Sequence, residues 1–197
     1  MRLLGVDPGL RTTGYGIVEA DARTLRLIEA GVIEPDADLP LEGRLAQLYR
    51  AMHGIVAEAR PEAMIVEELW TAYRNPSTAV LMGHARGVLY LAAAQHGVAV
   101  HHLGHSLVKR ALVGSGAARK EQVKSMVMQV LGLTLRPEPD DVSDALALAL
   151  AWAFRFIGAP AQPARPPTLR VGAPRPPAPS RSRRGAIPRG APKEPWS

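Results

Sequence analysis

Strand-like and helix-like patterns of hydrophobic residues alternate along the first 157 residues of the chain. Five short apolar runs are typical of β-strands: 2–7, 14–20, 24–34, 63–67 and 98–102. The connection at 21–23 is typical of a hairpin. The run 63–67 is apolar on both faces, which indicates a strand inside a covered sheet.

Apolar residues at a three/four spacing predict an amphipathic helix from about Leu41 to Ala59, bounded by Pro61. Further helices are predicted at about 76–95, 106–112, 118–131 and 140–157. The second helix has Asn75 as a plausible N-cap and Pro76 at its first position. We expect Gly83 and Gly87 to let this helix pack closely on the sheet. The order of elements predicts an α/β domain with a mixed sheet.

Charge and proline are concentrated at the end of the chain. Residues 158–197 hold eight Arg or Lys against one Glu and eleven of the 18 prolines, so residues 1–157 carry a net charge of −1 out of the total of +6. Such a composition cannot bury enough apolar surface to offset its ordering entropy. We therefore expect one folded domain at 1–157 and a disordered, Pro-rich basic tail at 158–197. The tail is suited to loose, salt-sensitive contact with a polyanion, or to solubility alone.

Cysteine and long apolar runs are both missing from the sequence. Without cysteine there is no disulfide framework, no Cys-ligated zinc and no thiol nucleophile. No apolar run approaches the ~18 residues of a membrane span, and the start of the chain lacks the layout of a signal peptide. We expect a cytoplasmic protein with no membrane association.

Acidic residues fall at the ends of the predicted elements. Asp7 and Glu67 close strands one and four, and Asp141 and Asp144 share one face at the start of the last helix. Beyond the carboxyl ends of parallel strands these side chains would meet, and their repulsion would be relieved by a hard dication such as Mg²⁺. Each acid taken singly is better explained as a turn former or helix cap. Their combination is less easily explained that way, so the residues alone leave both interpretations open.

Six segments resemble, in order and spacing, the RuvC family of Holliday-junction resolvases. They are GVDPG at 5–9 with TGYG at 13–16, IVEE at 65–68, GHARG at 83–87, VGSG at 113–116 followed by Lys120, Gln122 and Val123, and DVSDALA at 141–147. The resemblance covers about residues 1–157. Residues 158–197 have no counterpart that we can place.

The resemblance implies an RNase H-like fold: a five-stranded mixed sheet flanked by helices on both faces. It implies a homodimer that resolves four-way DNA junctions by paired, metal-dependent hydrolysis, giving 5′-phosphate and 3′-hydroxyl nicks, in recombination and repair. Asp7, Glu67, Asp141 and Asp144 would be the catalytic and metal-binding carboxylates, with Mg²⁺ or Mn²⁺ as the cofactor and two ions per site. The RuvA and RuvB branch-migration proteins are implied as partners.

The resemblance also indicates which residues contact DNA. Lys109 and Lys120 match the DNA-contacting lysines of the family, and Trp70 stands where the family carries an aromatic near the crossover. Phosphate contacts from such lysines position DNA without reading its sequence. Tyr73 is better explained by packing.

Neighbouring acids and a histidine group leave local alternatives. Asp140 could exchange roles with Asp141, which we prefer because the residues after it align without a gap. Strand alternation should turn Glu68 away from Glu67. We interpret His101, His102 and His105 as structural, because adjacent strand residues point to opposite faces.

Three other functions compete with junction resolution. An actin-like or sugar-kinase-like ATPase shares the opening turn but needs a second lobe, for which 157 residues leave no room. Another RNase H-like nuclease, acting on RNA or simple branched DNA, would use the same early acids. A non-catalytic junction-binding protein would have no need of all four acids.

Overall fold

Five strands form one mixed sheet in the computed structural model, which describes residues 1–21, 24–68 and 76–158. The strands are β1 (Arg2–Asp7), β2 (Thr13–Ala20), β3 (Leu25–Ile33), β4 (Ala63–Glu67) and β5 (Ala99–Leu103). They lie in the order β3-β2-β1-β4-β5. The pairs β1–β2 and β2–β3 are antiparallel, whereas β1–β4 and β4–β5 are parallel. The predicted mixed α/β sheet is confirmed.

Five helices cover the two faces of the sheet. They are α1 (Leu41–Ala59), α2 (Pro76–Gln95), α3 (His105–Val113), α4 (Lys120–Leu131) and α5 (Asp140–Phe156). The bounds predicted from apolar spacing agree with these within two residues. Pro139 immediately precedes α5, and Gly114 ends α3 in the left-handed region at φ 80°.

Each face of the sheet has its own hydrophobic core. Leu4 and Val6 of β1 pack with apolar residues of α1 and α2. Leu3 of β1 and Ile65 of β4 pack with those of α3, α4 and α5 on the other face. This division follows from strand alternation, because successive side chains point to opposite faces. The prediction of helices on both faces is confirmed.

Glycines in β1 and β2 let α5 lie directly against the sheet. A Cβ at Gly5 would stand 1.9 Å from the carbonyl oxygen of Ala145, and one at Gly14 would stand 2.1 Å from that of Asp141. Real Cβ atoms do not approach so closely, so any other residue would push the helix away. The GVDPG and TGYG segments thus set the height of α5 above the strands.

The expected close packing of Gly83 and Gly87 on the sheet is wrong. Both glycines are exposed, and a Cβ at either would meet no atom within 4 Å. The buried side of α2 is instead formed by small and aliphatic residues, among them Ala85, Leu89 and Ala92. The glycine pair therefore faces outward in the single chain.

Several predictions lie outside the described residues. These concern the centre of the hairpin at Ala22 and Arg23, the N-cap Asn75, Trp70, Tyr73 and the tail beyond Gly158. Among the helices that are described, none is long and apolar enough to cross a membrane.

Candidate active site

Asp7 and Glu67 lie side by side at one edge of the sheet. Val6 of β1 is paired with Val66 of β4 in a parallel register, so the residues that follow them end adjacent strands. Alternation turns both side chains to the same face as Leu3 and Ile65, which is the face covered by α5. Two acids distant in the sequence thus come to one end of one face.

The first turns of α5 bring two more acids to this edge. Gly14 is paired with Asp7 across β1 and β2, and Gly14 is also the point where the Asp141 backbone contacts the sheet. Asp144 follows three residues later on the same side of the helix. The close approach at Gly14 therefore delivers Asp141 and Asp144 beside Asp7.

The electrostatics of Asp7 reflect this gathering of acids. Burial raises the pKa of Asp7 from 3.8 to about 7, with the charges of Asp144, Glu67 and Asp141 acting in the same direction. The positive charge of Lys120 opposes the rise. All four predicted acids thus interact within one site, and one of them is close to protonation at neutral pH.

A cavity at this edge is lined by cations as well as acids. Its polar lining residues are Asp7, Glu67, His105, Lys109, Lys120 and Asp144. Lys120 Nζ lies 2.7 Å from Oδ2 of Asp144 and 3.3 Å from Oδ2 of Asp140. The predicted DNA-contacting residues Lys109 and Lys120 therefore line the same cavity as the acids. Asp141, in contrast, does not line this cavity.

Asp140 and Asp141 have different surroundings although they are adjacent. Asp140 pairs with Lys124, whose side chain is only 5% exposed. The hydrogen bond from Lys124, followed by that from Lys120, lowers the pKa of Asp140. The charge of Asp141 raises the pKa of Asp7, whereas Asp140 is not among the groups that shift this pKa. The structure thus places Asp141 toward Asp7 and Asp140 against α4.

His105 lines the site, whereas the sequence predicted a structural role for it. Its Nδ1 lies 3.0 Å from Oε1 of Glu67. His101 stacks on Trp152 and His102 contacts Tyr90, so the two strand histidines do turn to opposite sides. The missed signal was the spacing of His105, which opens α3 four residues before Lys109 and so shares its helix face.

The four carboxylates fit a hard divalent ion in their chemistry, although they do not converge on a single point. Carboxylate oxygens are the ligands that Mg²⁺ and Mn²⁺ prefer. Burial and, after it, the charges of three nearby acids raise the pKa of Asp7, and a bound cation would offset the repulsion between these charges. Across residues 1–21, 24–68 and 76–158, no three His, Asp or Glu side chains converge closely enough to hold a metal ion as they stand.

The chain is similar to known proteins over most of its length. The chain matches the sequence model of a family described as crossover junction endodeoxyribonuclease RuvC over residues 3–152. The protein of that name from Chloroflexus aggregans is 44% identical over 154 residues, which cover 78% of this chain and 93% of that protein. A second, from Chloroflexus aurantiacus, is 46% identical with the same coverage.

Solved structures show the same similarity in three dimensions. The structure described as RuvC of T. thermophilus in complex with a Holliday junction substrate superposes with a TM-score of 0.76 at 36% identity, covering 83% of this chain and 99% of that one. The Thermus thermophilus RuvC structure gives a TM-score of 0.74 at 35% identity. With the predicted RNase H-like fold confirmed, the chain belongs to the RuvC family of crossover junction endodeoxyribonucleases.

Proposed function

We propose that this chain resolves four-way DNA junctions by paired hydrolysis of phosphodiester bonds, leaving 5′-phosphate and 3′-hydroxyl ends. The observation that carries the proposal is that Asp7, Glu67 and Asp144, from β1, β4 and α5, line one cavity. Such an array beside Lys109 and Lys120 suits a negatively charged, phosphate-containing substrate. Membership of the RuvC family supports the four-way junction as that substrate.

Membership of the RuvC family implies dependence on a divalent metal ion. Asp7, Glu67, Asp141 and Asp144 would hold Mg²⁺ or Mn²⁺, as two ions per site. When bound, such ions activate water and stabilise the charge that develops on the attacking and leaving oxygens. The all-oxygen donor set supports these ions over zinc.

The protein groups around the acids have separate tasks. Lys120 offsets the charge of Asp144, and together with Lys109 it would hold the phosphate backbone at the mouth of the cavity. Asp7 is only half-buried, and this partial burial strengthens its interaction with a cation. No protein nucleophile is needed, since water supplies the attacking oxygen.

A homodimer is the proposed assembly, with the outer face of α2 as part of the interface. Val80, Gly83, Gly87 and Leu91 follow one another at helical spacing, and Val80 and Leu91 are 58% and 50% exposed. The two glycines leave room for another backbone to approach closely. A second copy related by a two-fold axis would give two sites suited to the opposed strands of a junction.

Trp70 and residues 158–197 are also proposed to contact DNA. Trp70 follows Glu67 by three residues and would stack on an unpaired base near the crossover, a contact worth ~1–3 kcal/mol. The excess of seven positive charges in 158–197 favours weak binding of phosphate. Deleting 158–197 should weaken junction binding chiefly at low salt, and an unchanged affinity across a salt series would contradict a role in DNA binding.

Partner proteins and a cellular location are also proposed for this chain. The RuvA and RuvB proteins remain the predicted partners, and the cytoplasm remains the predicted location. Pull-down of this chain with purified RuvA and RuvB on a four-way junction tests the first of these. Binding only in the presence of the junction would support an assembly organised by DNA.

The direct experiment compares substrates. The full chain is incubated with a mobile four-way junction, a linear duplex and an RNA–DNA hybrid, with and without Mg²⁺. Symmetrical cuts in the junction alone support resolution. Preferential cutting of the hybrid would favour another RNase H-like nuclease, and binding without cutting would favour a non-catalytic junction-binding protein.

A further inference from the structure

A hydrogen bond joins His105 to Glu67, and His105 has no role in the function proposed above. Nδ1 of His105 lies 3.0 Å from Oε1 of Glu67, although 38 residues separate them. The register explains the contact. Glu67 is paired with Leu103 in the parallel ladder of β4 and β5, and α3 begins two residues after Leu103. The chain therefore starts its helix beside the end of the neighbouring strand.

The chemistry of the pair fixes the direction of this bond. An ionised carboxylate has only acceptor atoms, so Nδ1 of His105 must donate its proton to Oε1. The imidazole carries a donor at Nδ1 in its charged form and in the neutral tautomer that this contact selects. Orientation of Glu67 by His105 therefore does not require a change in the charge of the ring.

Of the four acids, Glu67 has the side chain whose orientation is most affected by a hydrogen-bonding partner. Its side chain has one more rotatable bond than an aspartate and is 37% exposed, so it is free to adopt several rotamers. A hydrogen bond to Oε1 restricts these rotamers and keeps Oε2 as an acceptor for a cation. Partners of this kind orient metal ligands in proteins, and their loss commonly lowers metal affinity about 10- to 100-fold.

We propose that His105 is a positioning residue that orients the Glu67 carboxylate for a divalent ion. The inference rests on the function proposed above, in which Glu67 is a metal ligand. His105 lines the same cavity as Glu67, Lys109 and Lys120, and α3 presents His105 and Lys109 on one face. The first two turns of α3 thus supply His105, which donates to Glu67, and Lys109, which offers a positive charge to the substrate.

Two substitutions in the full-length protein separate positioning from direct ligation. His105→Leu removes the donor and keeps an apolar side chain of similar bulk. His105→Asn keeps an N–H donor near the place of Nδ1 but has no ring nitrogen that could bind a metal. His96→Leu is the matched control, because His96 is exposed and does not line the cavity. Thermal unfolding of each variant verifies that it folds.

Metal binding is measured first without DNA, by Mn²⁺ paramagnetic resonance. The Mg²⁺ concentration for half-maximal junction cleavage is then measured under single-turnover conditions. We expect His105→Leu to weaken Mn²⁺ binding and raise the Mg²⁺ requirement about tenfold. His105→Asn should return both values to within about threefold of wild type, and His96→Leu should change neither.

The outcomes distinguish the inference from the proposed function. If wild type cleaves the junction and His105→Leu binds Mn²⁺ as wild type does, positioning by His105 is wrong while the proposed function stands. If His105→Asn is as defective as His105→Leu, His105 acts through its ring nitrogen and positioning is again overturned. If wild type does not cleave in Mg²⁺, it is the proposed function that fails.

Discussion

Lys120 donates a hydrogen bond to Asp144 across 2.7 Å, so a cation of the protein neutralises one of the four site acids. Burial opposes protonation of this lysine, but its hydrogen bonds to Asp144 and Asp140 outweigh that effect and raise the pKa of Lys120. The ammonium group therefore stays charged throughout the neutral range. In the proposed function, Lys120 also contacts the DNA phosphate.

Replacing Lys120 with methionine should weaken both binding and cleavage of junction DNA. Lys120→Met keeps the length of the side chain and removes its charge, so one phosphate contact is lost. Junction affinity should fall several-fold, and the slope of log affinity against log salt should decrease by about one. Arg50→Met, at an exposed position of α1 on the opposite face of the sheet, is the control. Equal salt slopes in the two variants would contradict a phosphate contact by Lys120.

Asp140→Asn and Asp141→Asn should have opposite effects on activity and stability. The charge of Asp141 raises the pKa of Asp7, which places Asp141 among the site acids. Asp141→Asn should therefore lower the rate of nicking by about two orders of magnitude or more. Asp140 pairs with the buried Lys124, so Asp140→Asn should retain nicking and lose about 1 kcal/mol of folding stability. Cleavage rates and urea unfolding of both variants test this division. Loss of nicking in Asp140→Asn alone would reverse the two roles.

The raised pKa of Asp7 predicts how stability depends on pH when metal is chelated. The folded protein holds this proton up to about pH 7, whereas the unfolded chain releases it near pH 3.8. Stability is therefore greatest below the lower value and falls as the pH rises through the interval, because the folded state binds more protons. Asp7→Asn removes this dependence.

The measurement compares unfolding of wild type and Asp7→Asn in a chelator across this range. At roughly pH 8 the variant should be more stable than wild type by on the order of 1 kcal/mol, and the difference should shrink toward pH 4. Adding Mg²⁺ should stabilise wild type more than the variant. Parallel pH profiles of the two proteins would show that Asp7 has no raised pKa.

Substitution of Gly87 tests the outer face of α2 as a dimer interface. A side chain at Gly87 meets no atom of its own chain, and glycine is unfavourable within a helix, so Gly87→Arg should fold at least as stably as wild type. It should nevertheless shift the protein to a monomer in sedimentation and lose paired cuts. Gln129→Arg places the same side chain at an exposed position of α4 as a control. A dimeric Gly87→Arg would remove α2 from the interface.

The elements were predictable because they are set by local patterns of apolar residues. The apolar patterns predicted α2 and β4. Pro76 marked the start of α2, and the acidic residue Glu67 marked the end of β4. The outward direction of Gly83 and Gly87 was not predictable, because a glycine has no side chain to indicate burial. The packing of α2 depends on Ala85 and Leu89 instead.

The site was predictable in its acids and not in the contacts between them. Asp7 and Glu67 stand out because they end apolar runs, and α5 begins with two acids. The choice between Asp140 and Asp141 depends on Lys124, 16 residues from Asp140 and on another helix. The role of His105 likewise depends on the register of β4 and β5, which sequence spacing does not fix.

The measurement that tests the central claim most directly is cleavage of a mobile four-way junction by wild type and Asp7→Asn in Mg²⁺, with binding measured on the same preparations. Wild type should make symmetrical paired cuts that disappear in a chelator. Asp7→Asn should make none, yet bind the junction as tightly as wild type or more tightly, because a negative charge near phosphate is gone. An Asp7→Asn protein that cuts at the wild-type rate would show that the four acids do not form the catalytic site.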